Sequence, residues 1–165
     1  MEKILISSCL IGCNVRYHGG NANIDNHILE EFKSQKRLIS VCPEVSAGLE
    51  VPRTSSEIVG GNGIDVINGR AEVISRIGEN KTDFFIQGAK NALDIAKKFD
   101  IKIAILKKNS PSCGNKSIYD GSFRGNIVKG SGVTASLLSD NGIKVFNETE
   151  LQEVKEFIKR LEGDE

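Results

Sequence analysis

Residues 3–7 read Lys-Ile-Leu-Ile-Ser, a short apolar run that is followed at once by a serine and a cysteine. Three further runs of this kind occur along the chain, at 38–42 (LISVC), 102–106 (KIAIL) and 143–146 (IKVF). Each run is rich in β-branched or apolar residues and is bounded by turn-forming residues, which is typical of strands buried on both faces of a sheet. These four runs predict the strands of a central sheet.

Helical patterns lie between the predicted strands. Apolar residues recur with a period of 3.6 over 24–32, 85–96 and 133–138, and again over 151–161, where Asn147 or Thr149 can cap the helix with Glu150 or Gln152 three residues on. Because strands and helices alternate, the pattern predicts βαβ units and a parallel sheet. We expect a single α/β domain over 1–165, Rossmann-like, with a mainly parallel sheet flanked by helices.

One segment, at about 60–76, interrupts the alternation. The glycine-rich sequence GGNG precedes IDVI, then Asn68-Gly69, then AEVIS. An Asn-Gly pair between two β-like segments is a strong signal for a tight hairpin turn. We therefore expect a small β-hairpin inserted in the fold.

Composition narrows the class of protein. The chain has 165 residues, of which 39% are hydrophobic, and its 22 Lys plus Arg balance 22 Asp plus Glu. This composition is typical of a globular domain, and it gives no electrostatic reason to expect binding to DNA or to a membrane surface. The N-terminus runs straight into a strand-like segment without a signal-peptide core, and the longest apolar stretches are short. We expect a cytoplasmic protein.

Three of the four cysteines occur where predicted strands end. Cys9 follows the first strand, Cys42 ends the second, and Cys113 lies in the loop after the third. The carboxyl ends of parallel strands form a ligand crevice, so these thiols are expected to converge at one edge. Three thiolates suit zinc with an open position or an iron–sulfur cluster with one iron not bound by cysteine, although free cysteines are also common as small buried apolar residues. Cys13 is an alternative fourth ligand.

The most distinctive motifs of the sequence lie in the loops that carry these cysteines and in the segments that follow them. They are Cys9-Leu-Ile-Gly with Arg16-Tyr17, Cys42-Pro-Glu44-Val with Pro52-Arg53, Ser110-Pro-Ser-Cys113-Gly, Ile118-Tyr-Asp-Gly, and Gly130-Ser-Gly132-Val-Thr. In this order, and over nearly the whole chain, they resemble the thiouracil desulfidase (TudS) family.

The resemblance implies a 4Fe-4S cluster held by Cys9, Cys42 and Cys113, with Glu44 and Ser110 as a catalytic pair. Glu44 would activate water or shuttle protons, and Ser110 would relay a proton or orient the ring of the substrate. From residue type alone, Glu44 is also consistent with a solvated loop residue, and Ser110 is also consistent with a residue that caps the Ser-Pro turn. Cys13 departs from the family's pattern, which argues against its being a ligand, and His18 replaces the family's usual acidic residue.

Further candidates lie in the same loops. Arg16 and Arg53 could contact an anionic substrate or form surface salt bridges. Gly130 and Gly132 open a helix whose free N–H groups could bind a phosphate or carboxylate, but a tight strand-to-helix turn explains these glycines equally well. Between positions 97 and 135 there are eight basic and two acidic residues, and such a basic rim would attract nucleotides or RNA.

Together these features favour a desulfidase that converts a thiolated pyrimidine to the oxo form and releases sulfide. The expected substrate is a small molecule, thiouracil or thiouridine, either free or as a nucleotide. Two alternatives stay open at this point: a desulfidase acting on thiolated tRNA, and a non-enzymatic module that binds zinc or an anion.

Overall fold

The computed structural model describes residues 1–163 and has the α/β fold that the sequence predicts. Its elements in chain order are β1 (Ile4–Ser7), α1 (His27–Ser34), β2 (Leu38–Val41), α2 (Pro43–Ser46), β3 (Ser56–Val59), α3 (Gly63–Ile67), β4 (Glu72–Ser75), α4 (Thr82–Lys98), β5 (Ile103–Leu106), β6 (Ser117–Tyr119), β7 (Ile127–Lys129), α5 (Val133–Asp140), β8 (Lys144–Asn147) and α6 (Leu151–Leu161).

The centre of the fold is a four-stranded parallel sheet in the order β2-β1-β5-β8. Ile4 of β1 pairs with Leu38 of β2 on one side and with Ile103 of β5 on the other. All four strands fall on the predicted apolar runs. The two central strands, β1 and β5, are buried at every position because helices cover both faces of the sheet, whereas the edge strands β2 and β8 expose Ser40 and Lys144.

The two faces of the sheet support two separate cores. On one face, Ile4 and Ile6 pack with apolar residues of α1 and α6. On the other face, Leu5 packs with apolar residues of α4 and α5. The alternation along β1 is the two-residue period of a strand, and it fixes which helix meets which face.

The predicted hairpin turn at Asn68-Gly69 is wrong. The IDVI segment belongs to the helix α3, because Asn62 Oδ1 accepts the N–H of Ile64 over 3.2 Å while Asp65 accepts the N–H of Asn62 over 3.0 Å. These reciprocal bonds form a capping box, which starts a helix where the apolar pattern alone fits a strand. The strand that pairs with β4 is β3, which lies before the glycine-rich segment.

A second antiparallel pair, β6 with β7, was not predicted from the sequence. It lies between the loop of Cys113 and the helix α5, and it is joined by a loop over 120–126. The carboxylate of Glu57 in β3 accepts the backbone N–H groups of Gly121 at 2.9 Å and Phe123 at 3.2 Å. This buried side chain ties the loop to the rest of the fold.

The carboxyl edge of the sheet brings the three cysteine-bearing segments together. Cys9 lies in a 3-10 turn, Ser8–Ile11, that follows β1 directly, and Cys42 is the N-cap residue of α2 after β2. Cys113 lies in the loop after β5. Because β2, β1 and β5 are neighbours in the sheet, the three segments leave it side by side. None of the helices within residues 1–163 combines the length and the apolar character needed to cross a bilayer.

Candidate active site

A cavity of about 350 Å³ lies at this edge of the sheet. Its wall includes all three cysteines that follow strands, Cys9, Cys42 and Cys113. It also includes the two residues proposed as a catalytic pair and both arginines proposed to bind substrate, namely Glu44, Ser110, Arg16 and Arg53. The structure thus places seven of the nine predicted site residues around one space. A cavity of this size is at the lower end of the range for small-molecule sites.

Two of the thiols on this wall are buried and the third, Cys42, is half-buried. Cys9 is 7% exposed and Cys113 is 5% exposed. Burial raises the pKa of Cys9 to about 11 and the pKa of Cys113 to about 12, and it also raises the pKa of Cys42. Stable thiolates at these positions therefore require a positive partner inside the cavity, as a metal centre provides. Cys13, by contrast, is exposed and does not line the cavity.

The spacing of these donors bears on which kind of metal group they could hold. Among residues 1–163, no three or more His, Cys, Asp or Glu side chains are grouped so that they could hold one metal ion. A four-iron cluster is larger than an ion, and each of its cysteine ligands binds a different iron, so its thiolates need not converge on one point. Three thiols on one cavity wall, two of them buried, are a donor set that a cluster could use.

Glu44 is held in a fixed position by Arg53. It lies in the first turn of α2, where Arg53 Nε donates to Glu44 Oε1 over 3.1 Å. Arg53 Nη1 donates to the carbonyl of Glu50 over 3.1 Å, and Nη2 donates to the carbonyl of Val15 over 3.0 Å. Since the Arg53 side chain is only 9% exposed and each of its three nitrogens donates to the protein, these bonds fix it beside Glu44. Substrate binding by Arg53 stays a prediction.

The protonation of Glu44 follows from its surroundings. Burial raises the pKa of this carboxyl above its usual value, while the charges of Arg53 and, less strongly, Arg16 oppose the rise. A carboxyl with a raised pKa in a cavity is a candidate for transferring protons to and from a bound molecule.

Ser110 has two uses for its hydroxyl group. Its oxygen accepts the backbone N–H groups of Ser112 and Cys113, each over 3.1 Å, and so closes the turn that presents Cys113. The hydroxyl proton is donated to no other residue in the described part of the chain. Because Ser110 lines the cavity, this proton is available to a bound molecule.

The cavity wall carries uncompensated positive charge. Arg16, Arg76 and Lys108 all line it, and none has a carboxylate partner within 4.0 Å among residues 1–163. The Arg16 guanidinium lies 5.9 Å from the centre of the Tyr17 ring, and that of Arg76 lies 5.3 Å from the Phe123 ring. Arg76 was missed from the sequence, because it follows β4 in a segment that contains none of the motifs. These cations favour an anionic ligand.

Gly130 and Gly132 do not line the cavity. The N–H of Gly132 donates to the carbonyl of Gly114 over 2.7 Å, and the N–H of Val133 donates to that of Pro111 over 2.8 Å. The N–H groups expected to be free for a ligand therefore hold the loop of Cys113 against α5. Gly132 serves this close approach, since a Cβ there would lie 2.5 Å from the Ser112 backbone, and its N–H is not free as expected. Substrate binding by the two glycines stays a prediction.

The basic rim predicted from the sequence is divided in the structure. Three of its lysines lie at the opposite, amino edge of the sheet, at the end of α4 or the start of β5: Lys97, Lys98 and Lys102. Two more form ion pairs, Lys107 with Glu148 at 3.0 Å and Lys116 with Glu150 at 2.8 Å. The basic residues of this segment therefore do not all lie at one edge of the sheet.

The similarity to known proteins covers most of the chain. Residues 4–150 match the family described as 2-thiouracil desulfurase. Over 151 residues the chain is 42% identical to the uncharacterized protein YbbK of Bacillus subtilis (strain 168), an alignment that spans 92% of this chain and 99% of that protein. The solved structure of a 4Fe-4S-dependent thiouracil desulfidase, TudS, is similar with a TM-score of 0.88 at 36% identity, covering 96% of this chain and 99% of that one.

Proposed function

This chain belongs to the 2-thiouracil desulfurase family, and on that basis we propose that it replaces the sulfur of a thiolated pyrimidine with oxygen at a 4Fe-4S cluster. The observation that carries the proposal is the convergence of three thiols, two of them buried and one half-buried, with Glu44 and Ser110 on one cavity. The overall reaction consumes one water molecule and releases one hydrogen sulfide for each C=S group converted to C=O.

Cys9, Cys42 and Cys113 would hold the cluster, and their number leaves one iron without a protein ligand. That iron supplies a Lewis acid with affinity for the soft sulfur of a thiocarbonyl. Binding of the cluster would also offset the cost of ionising these thiols. Burial raises the pKa of Cys9 and Cys113, so each needs positive charge nearby to become a thiolate.

Glu44 would accept a proton from the water molecule that attacks the thiocarbonyl carbon. Its carboxylate lines the cavity, and Arg53 keeps one oxygen occupied so that the other oxygen is oriented. Ser110 would donate its remaining proton to a ring oxygen or nitrogen of the substrate, because both of its hydrogen-bond acceptor contacts are already made to the backbone.

The positive charge of the cavity bears on whether the substrate carries a phosphate group. Arg16 and Arg76 are cationic, line the cavity and have no carboxylate partner among the described residues. We propose that a thiouridine nucleotide binds more tightly than free thiouracil, with its phosphate near these arginines. A thiolated tRNA is less favoured, because the basic residues that could dock its backbone are dispersed over two edges of the sheet.

Anaerobic reconstitution with iron and sulfide tests the cofactor. We expect about four irons per wild-type chain, the content of one 4Fe-4S cluster, and loss of stable binding in Cys9→Ser, Cys42→Ser and Cys113→Ser. Cys13→Ser is the matched control and keeps the cluster. If the Cys13 variant fails to bind iron while the Cys113 variant succeeds, the ligand set is wrong.

Sulfide release tests the catalytic roles. Glu44→Gln retains the carboxyl's shape but cannot accept the proton, so we expect an intact cluster and a fall in kcat of about 100-fold or more. Glu50→Gln, a change at an exposed glutamate in the next loop, is the control. Near-normal turnover by Glu44→Gln would remove this residue from the mechanism.

Substrate choice is tested by comparing thiouracil, thiouridine monophosphate and thiolated tRNA at low and high salt. We expect Arg16→Ala and Arg76→Ala to raise KM for the nucleotide while leaving KM for thiouracil unchanged. If tRNA is by far the best substrate and added salt abolishes its advantage, the preference for a small substrate is wrong.

A further inference from the structure

Ser7 is the last residue of β1, and its hydroxyl group lies between two partners at the site. The backbone N–H of Lys107 donates to Ser7 Oγ over 3.0 Å, and Ser7 Oγ donates to Cys113 Sγ over 3.6 Å. Ser7 is itself only 3% exposed. The motifs of the sequence do not single out this residue, and the chemistry proposed above does not use it.

The direction of the Ser7 hydroxyl proton follows from these contacts. A hydroxyl group has one proton, and the N–H of Lys107 points at the oxygen, so the proton is left to face the sulfur. Lys107 directly follows β5, the strand that pairs with β1, and its side chain is anchored to Glu148 at 3.0 Å. The hydroxyl group is therefore oriented by the sheet itself.

The three thiols differ in the groups that donate hydrogen bonds to their sulfur atoms. Within residues 1–163, Cys113 alone among them receives a hydrogen bond from a side chain. The Cys42 thiol instead faces the carbonyl of Val15 at 4.0 Å, and the donors to its sulfur are backbone N–H groups, those of Val45 and Glu44 at the start of α2. Cys113 is also the most deeply buried of the three ligands, so it is the sulfur that gains most from an internal donor.

We propose that Ser7 is a positioning residue that sets the charge on the Cys113 sulfur and thereby the reduction potential of the cluster. The inference rests on the proposed function, because it requires the cluster to be bound. Hydrogen bonds to ligand sulfurs are among the factors that set cluster potentials. A donor withdraws negative charge and so stabilises the reduced state, which carries one more electron.

The test uses the reconstituted holoprotein and needs no turnover. Ser7→Ala removes the donor, so we expect a negative shift of the midpoint potential and faster loss of iron to a chelator. Pulsed magnetic resonance of the reduced cluster should also lose one exchangeable proton coupling. Ser7→Thr keeps the hydroxyl and should restore the potential. Ser8→Ala is the matched control, because Ser8 is a buried neighbour whose hydroxyl bonds to no other described residue.

The outcomes separate this inference from the proposed function. If the wild-type chain takes up no cluster, the proposed function fails and the inference fails with it. If the wild type binds the cluster and Ser7→Ala has the same potential and proton coupling, the inference alone is overturned. Should Ser7→Ala lose the cluster, retention by Ser7→Thr supports the hydroxyl bond, whereas equal loss in both variants overturns it.

Discussion

Replacing Arg53 with leucine should both destabilise the fold and displace Glu44. The leucine keeps an aliphatic side chain but removes the guanidinium that bonds Glu44 at 3.1 Å and two backbone carbonyls at 3.0 and 3.1 Å. The two side chains of the pair are 9% and 18% exposed, so water cannot replace the lost bonds fully. A buried carboxylate is then left without its partner.

The expected loss of stability in Arg53→Leu follows from the burial of the Arg53–Glu44 ion pair. Removing one partner of a buried ion pair costs about 3–5 kcal/mol. Each of the two bonds to carbonyls adds about 1.5 kcal/mol or more, but these contributions overlap because the same side chain makes them all. We therefore expect the free energy of unfolding to fall by about 3–5 kcal/mol.

Urea unfolding of the cluster-free protein measures this difference, and a double-mutant cycle isolates the ion pair. In a Glu44→Gln background the same Arg53→Leu change should cost about 1–3 kcal/mol less, since no charge is then left unpaired. Arg70→Leu is the control, because Arg70 pairs with Asp65 on the exposed surface at 3.3 Å, and we expect little change there.

The pH dependence gives an independent check. Burial raises the pKa of Glu44 and Arg53 lowers it, so removing Arg53 raises the folded-state pKa further above the unfolded value. A carboxyl with a raised folded-state pKa loses stability as pH rises through that pKa, so the penalty should be larger at mildly alkaline than at mildly acidic pH. A cost below about 1 kcal/mol at every pH, with normal sulfide release, would refute the role assigned to Arg53.

Three further changes test other parts of the site. Glu57→Gln weakens the bonds to two N–H groups of the 120–126 loop, so stability should fall by about 1–3 kcal/mol and hydrogen exchange in that loop should rise. Gly132→Ala places a Cβ 2.5 Å from the Ser112 carbonyl carbon, so a fall of about 1–3 kcal/mol is expected by urea unfolding. For Glu150, burial raises the pKa, but the hydrogen bonds from Lys116, Asn115 and the backbone N–H of Asn147 together outweigh it and the pKa is lowered. Stability should fall as pH drops through that pKa, and Glu150→Gln should flatten this part of the stability profile.

The central sheet was predictable because its signal is local. Runs such as Ile4–Ser7 are apolar at nearly every position, and burial on both faces explains that pattern. The placement of Cys9, Cys42 and Cys113 on the cavity also followed, since strand ends of a parallel sheet share one edge.

The parts that sequence reasoning missed depend on contacts between distant segments or on competing local signals. The Asn62–Asp65 capping box outweighed the hairpin signal of Asn68-Gly69, because two hydrogen bonds at a helix start fix the backbone before the turn is reached. The position of Arg76 on the cavity depends on how the β3–β4 pair packs, which no nearby motif indicates.

Ser7 and Cys113 are 106 positions apart, and they meet only where two neighbouring strands end. With the proposed ligands, a nascent chain cannot bring all three thiols together until β5 has been synthesised and has paired with β1. The proposed cluster would therefore be installed after the central sheet has formed. By mass action, a cluster that binds only the folded chain would shift the equilibrium against unfolding, so the holoprotein should resist unfolding better than the cluster-free chain.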